Sequence, residues 1–154
     1  MIVYLILDSE FVSGAYSGRG AEDFPGRWNN KGVPVVYTSG SLALCAMELF
    51  VHLNDKGRRG RYVSISATIP NSLLILSVPP SKLPENWKND PPTTETRNIG
   101  SQWVKSNKSA VLKVPSSVVP GEFNYVLNPL HPAFSKIRIH SPVPFLYDLR
   151  MWKH

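Results

Sequence analysis

Cysteine is almost missing from this chain: Cys45 is the only one in 154 residues. That excludes a disulfide within the chain and fits a reducing compartment. Set mid-helix among apolar residues, it reads as a buried, inert thiol and not as a nucleophile. Long hydrophobic runs are missing too. No stretch approaches the roughly 18 apolar residues of a membrane span, so no membrane partner is expected. The opening MIVYLILDSE has neither a basic lead-in nor a small-residue cleavage site and reads as a strand, not a signal peptide. A cytoplasmic protein is the expectation.

The common cofactor motifs are also lacking. There is no P-loop, and GRGAED at 18–23 lacks the third glycine of a dinucleotide fingerprint and does not directly follow a strand. No GxSxG elbow is present. His52, His131, His140 and His154 do not have metal-ligand spacing, so no metal is expected. Glu22 and Asp23 have no evident partner for glycosidase-style paired carboxylates. The net charge is +6, from 17 basic and 11 acidic residues, which suits a polyanion or a phosphate-bearing small molecule. Without a helix-turn-helix or an RNA-stacking pattern, direct nucleic-acid binding is not expected. The densest basic run, Lys56, Arg58, Arg59 and Arg61, is punctuated by glycine and reads as a solvated loop. A phosphate funnel is its other reading.

What is present predicts one α+β domain over residues 1–154, with antiparallel or mixed sheets and few helices around a cleft. Fourteen prolines, most of them between 70 and 144, favour short strands and irregular connections over long helices. Strands are predicted at Ile2–Leu7, Val33–Thr38, Tyr62–Ile69, Leu73–Leu76 and Ala110–Val114, with extended pieces at Ile137–Ile139 and Phe145–Leu149. Two helices are predicted, Leu42–Leu53 after N-cap residues at 39–41, and Thr93–Ser106, which Gly100 weakens. Residues 8–32 form a loop too long to be merely connective. Pro79–Pro92 reads as irregular, and 118–136 is dominated by the Asn-Pro and His-Pro turn signals of NYVLNPLHP.

Charge is scarcest where it is most informative. In Leu42–Leu53 the only polar side chains besides the thiol are Glu48 and His52. A helix that nearly lacks a polar face is expected to be buried on most sides. Glu48 must then face a polar partner or a pocket, because an unpaired buried charge costs several kcal/mol. A structural ion pair is the bland alternative. Upstream, Arg27 is either a salt-bridging residue or a bidentate anion ligand. Tyr37 is either core packing or a wall of the same cleft. His52, one turn beyond Glu48, reads as a helix-face hydrogen-bonder more readily than as a general base.

GRWN, VVYTS, ALCAMELFVHL and VPSSVVPGEFNYVLNPLHP, with SGRGA at 17–21 and IGSQWVKSNKSAVLKVPS at 99–116, resemble the RES-domain toxins of bacterial toxin–antitoxin pairs. The likeness runs from about Val3 to Phe134. It implies an ADP-ribosyltransferase-like fold, NAD+ as substrate, and a cognate antitoxin partner that carries its own helix-turn-helix DNA-binding module. Matched motif to motif, it implies Arg27, Glu48 and Ser116 as catalytic residues, and Arg27, Tyr37 and Ser116 as NAD+-binding residues. Ser117 is the neighbour with which Ser116 is most easily confused. Asn124, Asn128 and His131 match the later signature in a partly structural role. The chain departs from the family at Leu5, where relatives often carry arginine. The chemistry implied is cleavage of the nicotinamide–ribose bond through an oxocarbenium-like state that Glu48 would stabilise. The ADP-ribosyl group would pass to water or phosphate. A protein acceptor, or an inactive nucleotide-binding relative, is the alternative.

Overall fold

The β-branched and aromatic stretches of the chain pair into one eight-stranded mixed sheet, seen in a computed structural model that describes residues 1–53 and 60–152. Lys56, Arg58, Arg59 and His154 lie outside the described residues. The strands are β1 (Ile2–Asp8), β2 (Val36–Ser39), β3 (Tyr62–Thr68), β4 (Ile75–Ser77), β5 (Val111–Pro115), β6 (Phe123–Leu127), β7 (Arg138–Ile139) and β8 (Val143–Phe145). Their order across the sheet is β4-β5-β6-β2-β1-β3-β7, with β8 also on β3. Only β4 and β5 run parallel. The helices are α1 (Arg19–Asp23), α2 (Leu42–Phe50) and α3 (Thr94–Ser106). An α+β domain with a mixed sheet and few helices is therefore what the chain forms.

Side chains alternate across a strand, and here the alternation separates two cores. Val3, Val36, Val111 and Leu127 lie in one cluster, against which Leu5 packs. Val35, Leu112, Val114 and Val126 lie in the other, together with Trp28, Trp103 and the flank of Tyr37. Leu5 is thus a packing residue on the first face. The second face carries α3 and the loop before β2.

Several element boundaries differ from the sequence-based expectation, each for a visible reason. The strand β6 was hidden by the turn signals that follow it, yet FNYVL pairs with both β2 and β5 and lies between them. The segment 33–35 is not strand, and β2 begins at Val36. Within 8–32, a 3-10 turn at Ser9–Gly14 and the short α1 break up the loop. Of the two final extended pieces, the first holds β7 (Arg138–Ile139), while the second is strand only at Val143–Phe145 and not on to Leu149. Helix α2 stops at Phe50, because His52 and Leu53 donate to the carbonyls of Leu49 and Phe50 in i→i−3 bonds that tighten and end it.

The expectation that α2 is buried on most sides is corrected as well. Its buried residues are Leu44 and Cys45, while Met47 and Val51 are 38% and 52% exposed. One flank is covered from the C-terminal segment, where Tyr147 Oη donates to the Ala46 carbonyl at 2.6 Å and Trp152 packs on Phe50. The Ser41 hydroxyl accepts from the Leu44 amide and caps the start of the helix.

Candidate functional site

Strand register assembles the site. Ser39 on β2 stands opposite Asn124 on β6, and Asn124 stands opposite Val114 on β5. Alternation from Val114 through Pro115 puts Ser116 on the same face as Asn124, and Tyr37 shares that face with Ser39. The chain then turns from β2 directly into α2, which brings Glu48 over this row of polar side chains.

Glu48 Oε1 accepts two hydrogen bonds, from Ser116 Oγ and from Asn124 Nδ2, each 2.6 Å. These are short, charge-assisted contacts. Among the described residues Glu48 Oε2 takes none. Among the described residues no buried side-chain oxygen or nitrogen lacks a partner, so Oε2 opens to solvent. Ser116 is itself held firmly. Only 3% exposed, its hydroxyl accepts from the Val118 and Val119 amides at 3.1 and 2.9 Å while it donates to Glu48. Ser39 Oγ donates to Asn124 Oδ1 at 2.7 Å, which fixes which end of the amide faces Glu48. Burial pushes the Cys45 thiol up to about 11.

Arg27 belongs to a loop built around Asn29. The Asn29 side chain is completely buried; its Oδ1 accepts from the Gly26 amide and from Tyr37 Oη, and its Nδ2 donates to the carbonyls of Ala21 and Val33. Tyr37 Oη also accepts from the Trp28 amide at 2.9 Å. The ring of Tyr37 lies so close to Gly26 that a Cβ there would sit 2.8 Å from it, so only glycine fits. Burial pushes the Tyr37 phenol well above its ordinary value, against the pull of the Trp28 amide, Arg97 and Arg27. Tyr37 thereby buttresses the loop that presents Arg27.

Arg27 Nη1 donates to the carbonyls of Trp87 and Asn89 at 2.6 and 2.8 Å. Nε and Nη2, one edge of the guanidinium fork, make no such bond among the described residues. Partial burial holds Arg27 below its ordinary value, opposed by the charges of Asp90, Glu48 and Tyr37. The one contact ion pair among the described residues is Asp148–Arg150 at 2.8 Å, so Arg27 acts on Glu48 across a gap and not through a bridge.

The structure therefore brings Glu48 and Ser116 into direct contact, sets Arg27 within electrostatic reach, and places Tyr37 behind the Arg27 loop. Asn128 Oδ1 accepts from the Leu130 amide and His131 Nδ1 from the Ala133 amide, so both shape a turn. His52 is exposed at the end of α2. Sequence reasoning missed Asn29, although it completes GRWN, and Arg97, whose Nε donates to the Gly26 carbonyl at 3.2 Å. It also missed how Ser39 supports Asn124. Two hollows lie elsewhere: an open groove of about 450 Å³ between Gly32–Pro34, Leu130 and α3, and one of about 90 Å³ under Tyr147 and Trp152. Neither is lined by Glu48, Ser116 or Arg27. The candidate site is therefore marked by the hydrogen bonds that converge on Glu48 and not by a hollow.

The RES domain family matches residues 2–148. The protein "Toxin Res" of Photorhabdus laumondii is 39% identical over 155 residues, covering 99% of this chain and 98% of its own. "Toxin Res" of Yersinia enterocolitica is 34% identical, covering 98% and 99%. The "Prs ADP-ribosylating toxin" of a Sphingobium species is 38% identical over 137 residues, 88% of this chain and 85% of its own. Among solved structures, the M. tuberculosis MbcT-MbcA toxin-antitoxin complex contains a chain with a TM-score of 0.71, at 16% identity, covering 94% of this chain and 84% of that one. That likeness is one of fold.

Proposed function

The chain belongs to the RES domain family, and from that premise we propose that it is the toxin of a toxin–antitoxin pair and degrades NAD+. The observation that carries the reading is the Glu48 carboxylate, with one oxygen pinned by Ser116 and Asn124 and the other open. Breaking the bond between nicotinamide and ribose develops positive charge on the sugar. Nicotinamide leaves with the bonding electron pair and is already a good leaving group. The step therefore needs an oriented anion beside the ribose more than an acid. Glu48 Oε2 supplies that anion. Arg27 offers its free edge to the diphosphate, where a fork is superior to a point charge. Ser116 orients Glu48 by donating to Oε1, and Tyr37 holds the Arg27 loop in place. Whether the ADP-ribosyl cation then meets water or phosphate defines a glycohydrolase or a phosphorylase.

A second reading, transfer to a protein side chain, is favoured by the likeness to the Sphingobium protein, whose name describes an ADP-ribosylating toxin. An enzyme that consumes NAD+ must be restrained in its own cell, so the proposal includes an antitoxin that occludes this face and carries a DNA-binding module. The fold shared with a chain of the MbcT-MbcA toxin-antitoxin complex supports such a partner. The test is to incubate purified protein with NAD+, with and without inorganic phosphate and with and without cell protein. Nicotinamide appearing together with ADP-ribose or its phosphate supports the first reading. Label retained on protein supports the second. Intact NAD+ that nonetheless binds would leave an inactive nucleotide-binding relative.

A further inference from the structure

We propose that Asn124, set by Ser39, is a positioning residue that orients the Glu48 carboxylate, so that Oε2 and not Oε1 meets the substrate. This rests on the NAD+-cleaving reading for its kinetic consequences, but not for the network itself. A carboxylate with one anchoring donor can still swing about it; two donors on one oxygen fix its plane. Ser116 and Asn124 approach Oε1 from different elements, the turn after β5 and the strand β6, each at 2.6 Å. The hydrogens all point one way. Ser39 donates to Asn124, and Asn124 donates to Glu48. Ser39 and Asn124 are register partners, and a flipped amide would turn its oxygen toward Glu48 Oε1 and lose that bond. Asparagine also suits the place chemically, since it donates without adding a charge beside the carboxylate.

Aspartate at position 124 has the same shape and tests the idea. Two carboxylates at this separation cannot both ionise readily, so they share a proton that is lost above the ordinary carboxylate range. While the proton is shared, position 124 still donates and Glu48 is still held. Once it is lost, two anions repel. The other titratable groups of this site are Arg27 on its loop and Cys45 on α2, both coupled electrostatically to Glu48, and Tyr37 on β2, on the face of Ser39. Arginine, a buried tyrosine and a thiol pushed up to about 11 do not titrate in the mildly acidic range.

The experiment measures kcat and KM for NAD+ against pH, and melting temperature against pH, for wild type, Asn124→Ala and Asn124→Asp. Asn124→Ala is expected to lower kcat roughly tenfold or more with KM within about threefold, as loss of one hydrogen bond to a charged group implies. Asn124→Asp is expected to approach wild-type kcat at mildly acidic pH and to lose activity as pH rises, along a descending limb that wild type lacks. Its melting temperature should fall through the same window, because the folded pair holds its proton more tightly than the unfolded chain. If wild type cleaves no NAD+, the functional reading fails while the melting profile still tests the pair. A loss in Asn124→Asp that is independent of pH in both measurements, or an unchanged kcat in both variants, would overturn the positioning role.

Discussion

Ser116 and Glu48 stand 68 positions apart in sequence, and their side-chain oxygens meet at 2.6 Å. The contact joins the helix after β2 to the turn after β5. Ser116 also accepts the amides of Val118 and Val119, so its hydroxyl hydrogen has one place to go, and that is the carboxylate.

Replacing Ser116 with alanine should therefore injure both chemistry and stability. A hydrogen bond to a charged group is worth about 1.5–3 kcal/mol, so NAD+ cleavage should slow by roughly 10- to 100-fold. The two orphaned amides should reduce unfolding free energy by about 1–3 kcal/mol. Ser117→Ala, outside the network, should change either quantity little. Steady-state kinetics and urea melts on the pair of variants check this.

Tyr37→Phe removes the hydroxyl between the Trp28 amide and Asn29 Oδ1. Asn29 Oδ1 keeps the Gly26 amide, but the Trp28 amide loses its acceptor. We expect a loss of about 1–3 kcal/mol and a rise in KM for NAD+ of several-fold, because the loop that presents Arg27 loosens. Unchanged KM together with a lowered melting temperature would confine Tyr37 to a purely structural role.

Gly100→Ala should destabilise although alanine is the better helix former by about 1 kcal/mol. A Cβ at this position would lie 1.8 Å from the Trp28 carbonyl oxygen, which is backbone and cannot turn aside. Helix α3 would have to lift from the Arg27 loop. The expected cost exceeds about 2 kcal/mol, measured by chemical denaturation, with a weaker affinity for NAD+ in whatever fraction folds.

Gly100 also shows how far the sequence could be read. The residue was legible as a flaw in a helix, but not as the point where helix and loop touch, because a close approach belongs to two segments at once. Glu48 was legible because a lone carboxylate on an apolar helix needs an explanation that local sequence cannot supply. Its partner Ser116 came from a family likeness, and the 2.6 Å contact from the fold. The strand β6 was overlooked because the prolines and asparagines just beyond it carry strong turn signals. With that strand went the register that aligns Ser39, Asn124 and Val114. The partial exposure of α2 was illegible for a similar reason: an apolar face says what could be buried, not what is there to cover it.

The Cys45 thiol, raised by burial from 9.0 to about 11, gives a pH signature. Between those values the unfolded chain releases a proton that the folded chain retains, so stability falls as pH rises. Burial raises the phenols of Tyr16 and Tyr37 too, and they add to the loss at higher pH. Melting temperature should decline from about pH 9 upward, and Cys45→Ala should remove the earliest part of that decline. A thiol reagent at neutral pH should leave the native protein unlabelled and react once it is unfolded.

The central claim is that the open oxygen of Glu48 stabilises the ribosyl cation of NAD+. The direct measurement is the rate of nicotinamide release from NAD+ by wild type and by Glu48→Gln, with both proteins shown to be folded by their melting curves. Glutamine retains the size but not the charge, so the account predicts release by wild type and a fall of at least about 100-fold in the variant. Equal rates in the two proteins, or intact NAD+ with folded wild type under all acceptor conditions, would contradict it.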